Sequence, residues 1–357
     1  FCMDIKTVKV KNCLLGYGYA SLITYHKLLK TKNHKDILIL RHENSTPILS
    51  IENEGVLFSP LPIFPVEESE LYNSDLFDDV PKQKPISVSF SELTNFNYKD
   101  HTIEQGSLAS FMLSNQGIDQ RLCLGLKQWG DSMLSKPFSQ VQDKIKRHYI
   151  SKSGNTRIGY VNGKSIFKYV INKLNPEVLN FANLQKIDIE KKEVHTNDSI
   201  IKYEKLVSTI PFHYLLDLCG LKHNHNTDYA SAYFYFFKYK DGFAENQVVY
   251  DCDFNSDILR IFSIKDDFLL AQLRSDKQGQ IPIEKIRKRV QELVPSIKEL
   301  EFAQELFVPM SYPLELVTEP STLESIDTLK ENGVVPFGRF GEWGYSDLHE
   351  LDWSTIY

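Results

Sequence analysis

The stretch VKVKNCLLGYGYASLITYHKLLKTKNHKDILILRHE, Val8 to Glu43, decides the fold. Leu14 and Leu15 close an apolar run that predicts a strand. Gly16 and Gly18 then permit a tight turn, because glycine adopts positive φ without a Cβ penalty. Ala20 to Leu29 has helical spacing, and Ile37 to Leu40 reads as a short strand of the parallel-sheet kind. Strand, turn, helix and strand make a βαβ unit, with Gly16, Gly18 and Ser21 in a GxGxxS pattern. Two glycines at such a turn let the backbone approach a pyrophosphate, and the helix N-terminus then faces it with N–H groups. A βα turn with no ligand is the other reading of the same residues.

The composition suits a large globular chain. Its 357 residues are 42% hydrophobic, 25% charged and 12% aromatic, which predicts an extensive core and two domains. A formal charge of -6 argues against a general nucleic-acid binder. The basic runs KTKNHK, KIKR and KIRKR are short and separated, and read as solvated faces. No apolar run approaches the roughly 20 residues of a membrane span, and the opening FCMDIKTVKV lacks the apolar core of a signal peptide. Cys2, Cys13, Cys123, Cys219 and Cys252 show no CxxC or metal spacing. They predict free thiols in a reducing cytoplasm, with no disulfide framework and no metal site. The histidines, His223 and His225 included, have no ligand spacing and read as exposed.

Further along, residues 60 to 85 are acidic and proline-bearing, which suggests an excursion from the first domain. Thr102 to Gln116 and the region around Lys144 carry helical patterns. LVSTIPFHYLLDL, Leu206 to Leu218, reads as a buried strand, a proline-broken turn and a helix. Tyr229 to Tyr239 is an aromatic-rich strand, and Pro282 to Leu293 a charged helix. There is no internal repeat.

The chain nears its end with GRFGEWGYSDL, Gly338 to Leu348, a mixture that neither an amphipathic helix nor an alternating strand requires. Gly338 ends a strand and lets the chain pass close to a cofactor. Arg339 offers a planar fork of donors suited to phosphate or a carbonyl oxygen. Tyr345 has a ring to pack and a hydroxyl to donate, and Asp347 can cap a following helix. The plainer reading pairs Arg339 with an acid and puts Tyr345 in the core.

Together, the strand–GxGxxS–helix unit, the Val-Ser-Thr-Ile-Pro strand and the terminal Gly-Arg segment resemble the flavoprotein group of amine oxidases and protoporphyrinogen oxidases. Within that group the chain is similar to UDP-galactopyranose mutases. Four patches carry the likeness: KQWG (Lys127–Gly130), LRIFSIK (Leu259–Lys265), SYP (Ser311–Pro313) and GRFGEWGYSDL. The resemblance implies an α/β fold: a Rossmann-like FAD-binding domain of the glutathione reductase type with an inserted mixed α+β substrate domain. The FAD-binding domain is expected over 1–65, 150–211 and 325–357, and the substrate domain over 66–149 and 212–324.

The resemblance also assigns roles. Gly16, Gly18, Ser21, Glu43, Arg339, Asp347 and Leu348 are the cofactor-binding candidates. Trp129 lies near the substrate's base, Arg260 grips a diphosphate, and Tyr312 and Tyr345 stand in the substrate cleft. Lys164 takes the place of a phosphate-touching tyrosine. Arg260, Tyr312 and Tyr345 are the catalytic candidates. In this family the reduced flavin attacks the anomeric carbon, expels UDP and lets the sugar reclose as the other ring size. The implied activity is therefore pyranose–furanose isomerisation of a nucleotide sugar, in the cytoplasm, with a homodimer left open. A flavin oxidoreductase on another substrate, and a non-catalytic binding protein on a decayed flavoprotein fold, remain the alternatives.

The cofactor side departs from the family pattern. An acid usually ends the second strand and binds the adenosine ribose; here that position is Arg41, and Glu43 comes two residues late. The Gly-Gly pair that normally follows is replaced by Ser45, Thr46 and Pro47. FSPLPIF (Phe58–Phe64) lacks the glycine and histidine expected beside the flavin.

Overall fold

The computed structural model describes residues 5–45, 51–53, 56–58, 74–79, 87–90, 92–93, 96–98, 101–103, 106–107, 163–223, 229–243, 247–251, 256–265, 268–273, 281–313, 320–344, 348 and 351–357. Strands β1 (Lys6–Lys9) and β2 (Asn12–Leu15) lead through helix α1 (Tyr19–Leu29) to β3 (Ile37–His42). Short strands follow: β4 (Ile51–Asn53), β5 (Val56–Phe58), β6 (Ser87–Phe90), β7 (Glu92–Leu93), β8 (Phe96–Tyr98), β9 (His101–Ile103) and β10 (Gly106–Ser107). Helix α2 (Gly163–Leu174) precedes β11 (Val178–Phe181), β12 (Leu184–Asp188), β13 (Glu193–Thr196), β14 (Ser199–Lys202), β15 (Lys205–Ser208) and α3 (Phe212–Cys219). Then come β16 (Tyr229–Lys240), β17 (Gln247–Tyr250), β18 (Ile258–Lys265), β19 (Phe268–Leu273), α4 (Ile283–Leu293) and β20 (Glu299–Pro313). Helix α5 (Pro320–Glu331), β21 (Val334–Pro336) and α6 (Gly338–Gly341) follow.

The first unit forms as its sequence predicts. The strands β11, β3, β2, β15 and β21 make one sheet in that order, every pair parallel. Both faces of its central strands are covered, which is why NCLL and ILIL are continuously buried rather than alternating. Leu14, Ile37, Ile39 and Val207 face a core shared with α1 and α2. Cys13, Leu15, Leu38, Leu40 and Leu206 face a second core shared with α3 and with Ile187, Val194 and Ile201 of the adjoining sheet. Each fully buried leucine contributes about 2 kcal/mol, so the central strands are held from both sides. That adjoining sheet is the meander β12–β13–β14 with β1 added in parallel.

The third core lies elsewhere. A six-stranded sheet, in the order β20–β16–β19–β18–β17–β6, is antiparallel except where β6 joins β17. One face carries Tyr235, Phe237, Ile261, Leu269 and Ala271, packed with Ile286 and Val290 of α4. The alternate residues Phe234, Phe236, Phe262 and Leu270, also buried, therefore belong to the opposite face.

Three local expectations need correction. Where a helix was expected from Thr102, strands occupy His101–Ile103 and Gly106–Ser107; β-branched Thr102 and Ile103 suit a strand, and Gly106 weakens a helix. The run KIRKR is not simply a solvated face. Arg289 makes a two-pronged pair with Asp251, which is 0% exposed, through Nε–Oδ2 and Nη2–Oδ1 bonds of 2.7 Å each. His223 is only partly exposed and bonds Asp217 at 2.9 Å. Among the described residues, no helix is long and apolar enough to cross a membrane.

Candidate dinucleotide site

The parallel strands β2, β3 and β15 end together, and the two motifs from opposite ends of the sequence meet there. Gly16 follows β2 with φ +117°, a conformation side chains rarely adopt. Its N–H donates to Leu40 O at 3.0 Å, tying the turn to β3. A Cβ on Gly16 would fall 2.3 Å from Thr209 Oγ1, so the position is glycine for two independent reasons. Thr209 is the residue just past β15. Its hydroxyl bonds Ser21 Oγ at 2.9 Å and reaches Leu15 O at 3.2 Å. Ser21 is 0% exposed, and its hydroxyl fastens α1 to the end of β15. The serine that stands for the third glycine thus supports the turn from beneath.

Gly18 differs in kind. It is the N-cap of α1 at φ -122° and ψ -173°, with no side-chain cap bond. Among the described residues, a Cβ there would meet nothing within 4 Å. The helix therefore starts uncapped beneath open space, which is the arrangement that accepts an anion.

The terminal motif lies against this helix start. Gly338 has φ +83°, and a Cβ on it would sit 3.1 Å from Ala20 Cβ. A Cβ on Gly341 would sit 2.5 Å from Ser208 O, so the segment crosses the end of β15 backbone to backbone. Phe337 N–H donates to Ser208 O at 2.8 Å, and Glu342 takes the Gly338 N–H at 3.2 Å. Arg339 is half-buried beside these residues in α6. Leu348 packs on the core that includes α1, as do Leu351, Trp353 and Ile356.

The cradle therefore fits the diphosphate end of a dinucleotide: the turn conformation, the open space over Gly18 and the uncapped helix are all present. The adenosine end is different. Arg41, the last residue but one of β3, stands in the acid's place, its guanidinium carbon 4.9 Å from the ring centre of Tyr17, the residue between the two glycines. Burial raises the Tyr17 pKa, and Arg41 pulls it partly back. Glu43 is solvent-exposed, with its N–H on Phe181 O at 2.9 Å.

The remaining candidates divide between two regions. Lys164 is in the first turn of α2, one turn before Phe167, whose ring meets Tyr17 at 5.7 Å and Tyr19 at 5.2 Å edge-on. Arg260 is on β18, where its Nε donates to Gln272 Oε1 at 2.8 Å and its guanidinium lies 5.5 Å from the Phe262 ring. That places Arg260 on the sheet face opposite α4. Tyr312 pairs with Ala230 in the same sheet. Trp129, Tyr345, Asp347 and FSPLPIF beyond Phe58 lie outside the described residues.

Sequence reasoning missed Thr209, Gln272 and Glu342. For Thr209 a signal existed in the Ser-Thr-Ile-Pro stretch, whose strand had to end beside the turn. Gln272 carried none, because a lone glutamine in FLLAQL has no pattern to single it out.

No protein-family model matches the chain, and no curated protein matches it. Solved structures do. A reduced UDP-galactopyranose mutase superposes with a TM-score of 0.66 at 13% identity, covering 96% of this chain and 91% of its own. The fold is that of Rossmann-type flavoenzymes. An oxidoreductase from Methanosarcina mazei matches with a TM-score of 0.62 at 12% identity, over 97% of this chain and 99% of that one. Putrescine oxidase bound to putrescine matches with a TM-score of 0.60 at 9% identity, over 98% of each chain.

Proposed function

We propose that this chain is a dinucleotide-dependent enzyme that holds FAD at the Gly16–Gly18 turn and acts on a nucleotide sugar in the manner of UDP-galactopyranose mutases. The observation that carries the reading is the meeting of two motifs more than 300 residues apart in sequence, Gly338 lying against Ala20 at the uncapped start of α1. In open parallel sheets ligands lie beyond the carboxyl ends of the strands, which is where these two segments meet. In this reading FAD supplies an electron-rich centre for attack at the anomeric carbon. The protein's own part is positioning and charge. Arg260, held by Gln272, and Lys164 neutralise the departing diphosphate; Tyr312 and Tyr345 orient it; Trp129 contacts the base.

The purified protein is expected to be yellow, absorbing near 450 nm (roughly, as flavins do), or to become so when FAD is added. A colourless protein that takes up no FAD refutes the reading. Addition of UDP is then expected to change the tryptophan fluorescence, and a silent titration refutes the nucleotide-sugar part alone. The similarity to an oxidoreductase and to putrescine oxidase favours a second reading, a flavin oxidoreductase. Bleaching of the flavin by an amine in the absence of UDP distinguishes it.

A further inference from the structure

The carboxyl end of β3 carries the opposite charge from the one that reads a plain ribose. A carboxylate there accepts hydrogen bonds from ribose hydroxyls; a guanidinium only donates. Arg41 is also unspent. Among the described residues it has no ion pair and no side-chain hydrogen bond, and its Nε is sealed from solvent without an acceptor. Ser45, four residues on, has its N–H turned back to His42 O at 2.9 Å and its own Oγ sealed without a partner among the described residues. Two orphaned donors thus lie within five residues of the strand end. A donor buried unpaired is destabilising unless something supplies the acceptor. The Tyr17 ring, 4.9 Å away, fixes the guanidinium over the residue between the two glycines. The acid that could neutralise it by proximity in sequence, Glu43, is solvent-exposed.

We propose that Arg41 makes the adenosine end of this cradle a phosphate subsite, so that the turn favours an adenine nucleotide phosphorylated on the ribose 2′ position over one with a free ribose. The proposal rests on reading the turn as a dinucleotide cradle, and it narrows which nucleotide that cradle prefers. FAD, with no such phosphate, is then held by the diphosphate contacts alone and binds as the weaker ligand. A guanidinium pairs a phosphate through two parallel bonds and has no comparable geometry for a diol.

The test is calorimetric titration of the full chain with ADP and with 2′-phospho-ADP, with inorganic phosphate as a competitor. Titrations use the wild type, Arg41→Glu, Arg41→Lys and Gly18→Val, each checked for folding by thermal melting. The expected result is binding of 2′-phospho-ADP about tenfold tighter than ADP, with the advantage shrinking at high salt. Arg41→Lys should keep part of the preference and Arg41→Glu should reverse it, while inorganic phosphate alone competes weakly. Equal affinities that both fall in Gly18→Val overturn the phosphate subsite and leave the cradle standing. An unchanged preference in Arg41→Glu also overturns it. If neither nucleotide binds the wild type, the cradle reading fails and takes this inference with it.

Discussion

Exchanging each turn glycine for alanine separates what the fold requires from what a ligand requires. At Gly16 the new methyl group meets two obstacles. Its φ of +117° lies where a side chain costs about 1–3 kcal/mol. The Cβ would also stand 2.3 Å from Thr209 Oγ1, so that hydroxyl must leave its contacts with Ser21 Oγ at 2.9 Å and Leu15 O at 3.2 Å. Each lost bond is worth about 1 kcal/mol, giving a total near 3–5 kcal/mol. Gly18→Ala meets no atom of the described residues within 4 Å. Its poorer N-cap preference and the smaller unfolded-state entropy offset each other to within about 1 kcal/mol. Urea unfolding should therefore show a large loss for Gly16→Ala and almost none for Gly18→Ala. Nucleotide titration should show affinity falling roughly tenfold in Gly18→Ala, as for a methyl group forced into an occupied space. A Thr209→Ala background isolates the steric part. There Gly16→Ala should cost about 1–2 kcal/mol less than in the wild type, a coupling read directly from the double-mutant cycle. Unchanged affinity in Gly18→Ala would mean that the space over α1 is solvent and no cradle; a neutral Gly16→Ala would refute the steric argument for the turn.

Three other outcomes follow from the geometry. Gly341→Ala, whose Cβ would lie 2.5 Å from Ser208 O, should destabilise by about 1–3 kcal/mol in urea unfolding, since a backbone atom cannot rotate away. Arg289→Leu removes the two 2.7 Å bonds that Arg289 makes to the Asp251 carboxylate, which is 0% exposed; a loss of about 3–5 kcal/mol is expected, and a mutant within 1 kcal/mol of wild type (roughly, the size of a surface pair) refutes that role. Burial lowers the His213 pKa, Asp217 and His223 acting in opposite directions beside it. The unfolded chain therefore takes up the proton first, so stability is full above the unfolded pKa near 6.5 (roughly) and declines as pH falls below it. A His213→Phe variant should flatten that part of a pH-resolved melting series.

How much was legible in the sequence depends on how far apart the partners are. The β2–α1–β3 unit shows itself because glycine spacing and apolar runs are local signals. The strand–proline–helix reading of Leu206 to Leu218 holds for the same reason: β15 ends at Ser208, Pro211 caps α3 and Gly220 closes it at φ +66°. The KIRKR run was misread because its decisive partner, Asp251, is 38 residues away. Charge patterning shows that Arg289 can pair on its own helix face and says nothing about a buried carboxylate on another element. The acidic segment before residue 85 likewise does not only lead outward. Leu76 and Phe77 are buried against α1, where Asp75 Oδ1 meets His26 Nε2 at 2.8 Å. That contact holds the Asp75 pKa down, and nothing in the composition of the segment points to it.

The glycines of the candidate site stood out for a different reason: no regular element calls for them at those places. Gly338 and Gly341 looked out of place in GRFGEWGYSDL because no secondary structure asks for them, and the structure names what does. Ala20 presses on one and the β15 backbone on the other. These demands come from the protein itself, so the glycines alone do not establish a cofactor. Gly18 is the informative exception, since no atom of the described residues requires it to be glycine. Arg41 carries the complementary message: it puts a cation near the end of β3, where a dinucleotide-binding turn ordinarily carries an acid. On the proposed reading, Gly18 leaves room for the diphosphate and Arg41 faces the end that distinguishes one nucleotide from another. An open turn with a cation beside it is what the proposed phosphate subsite requires, and the two nucleotide titrations test it directly.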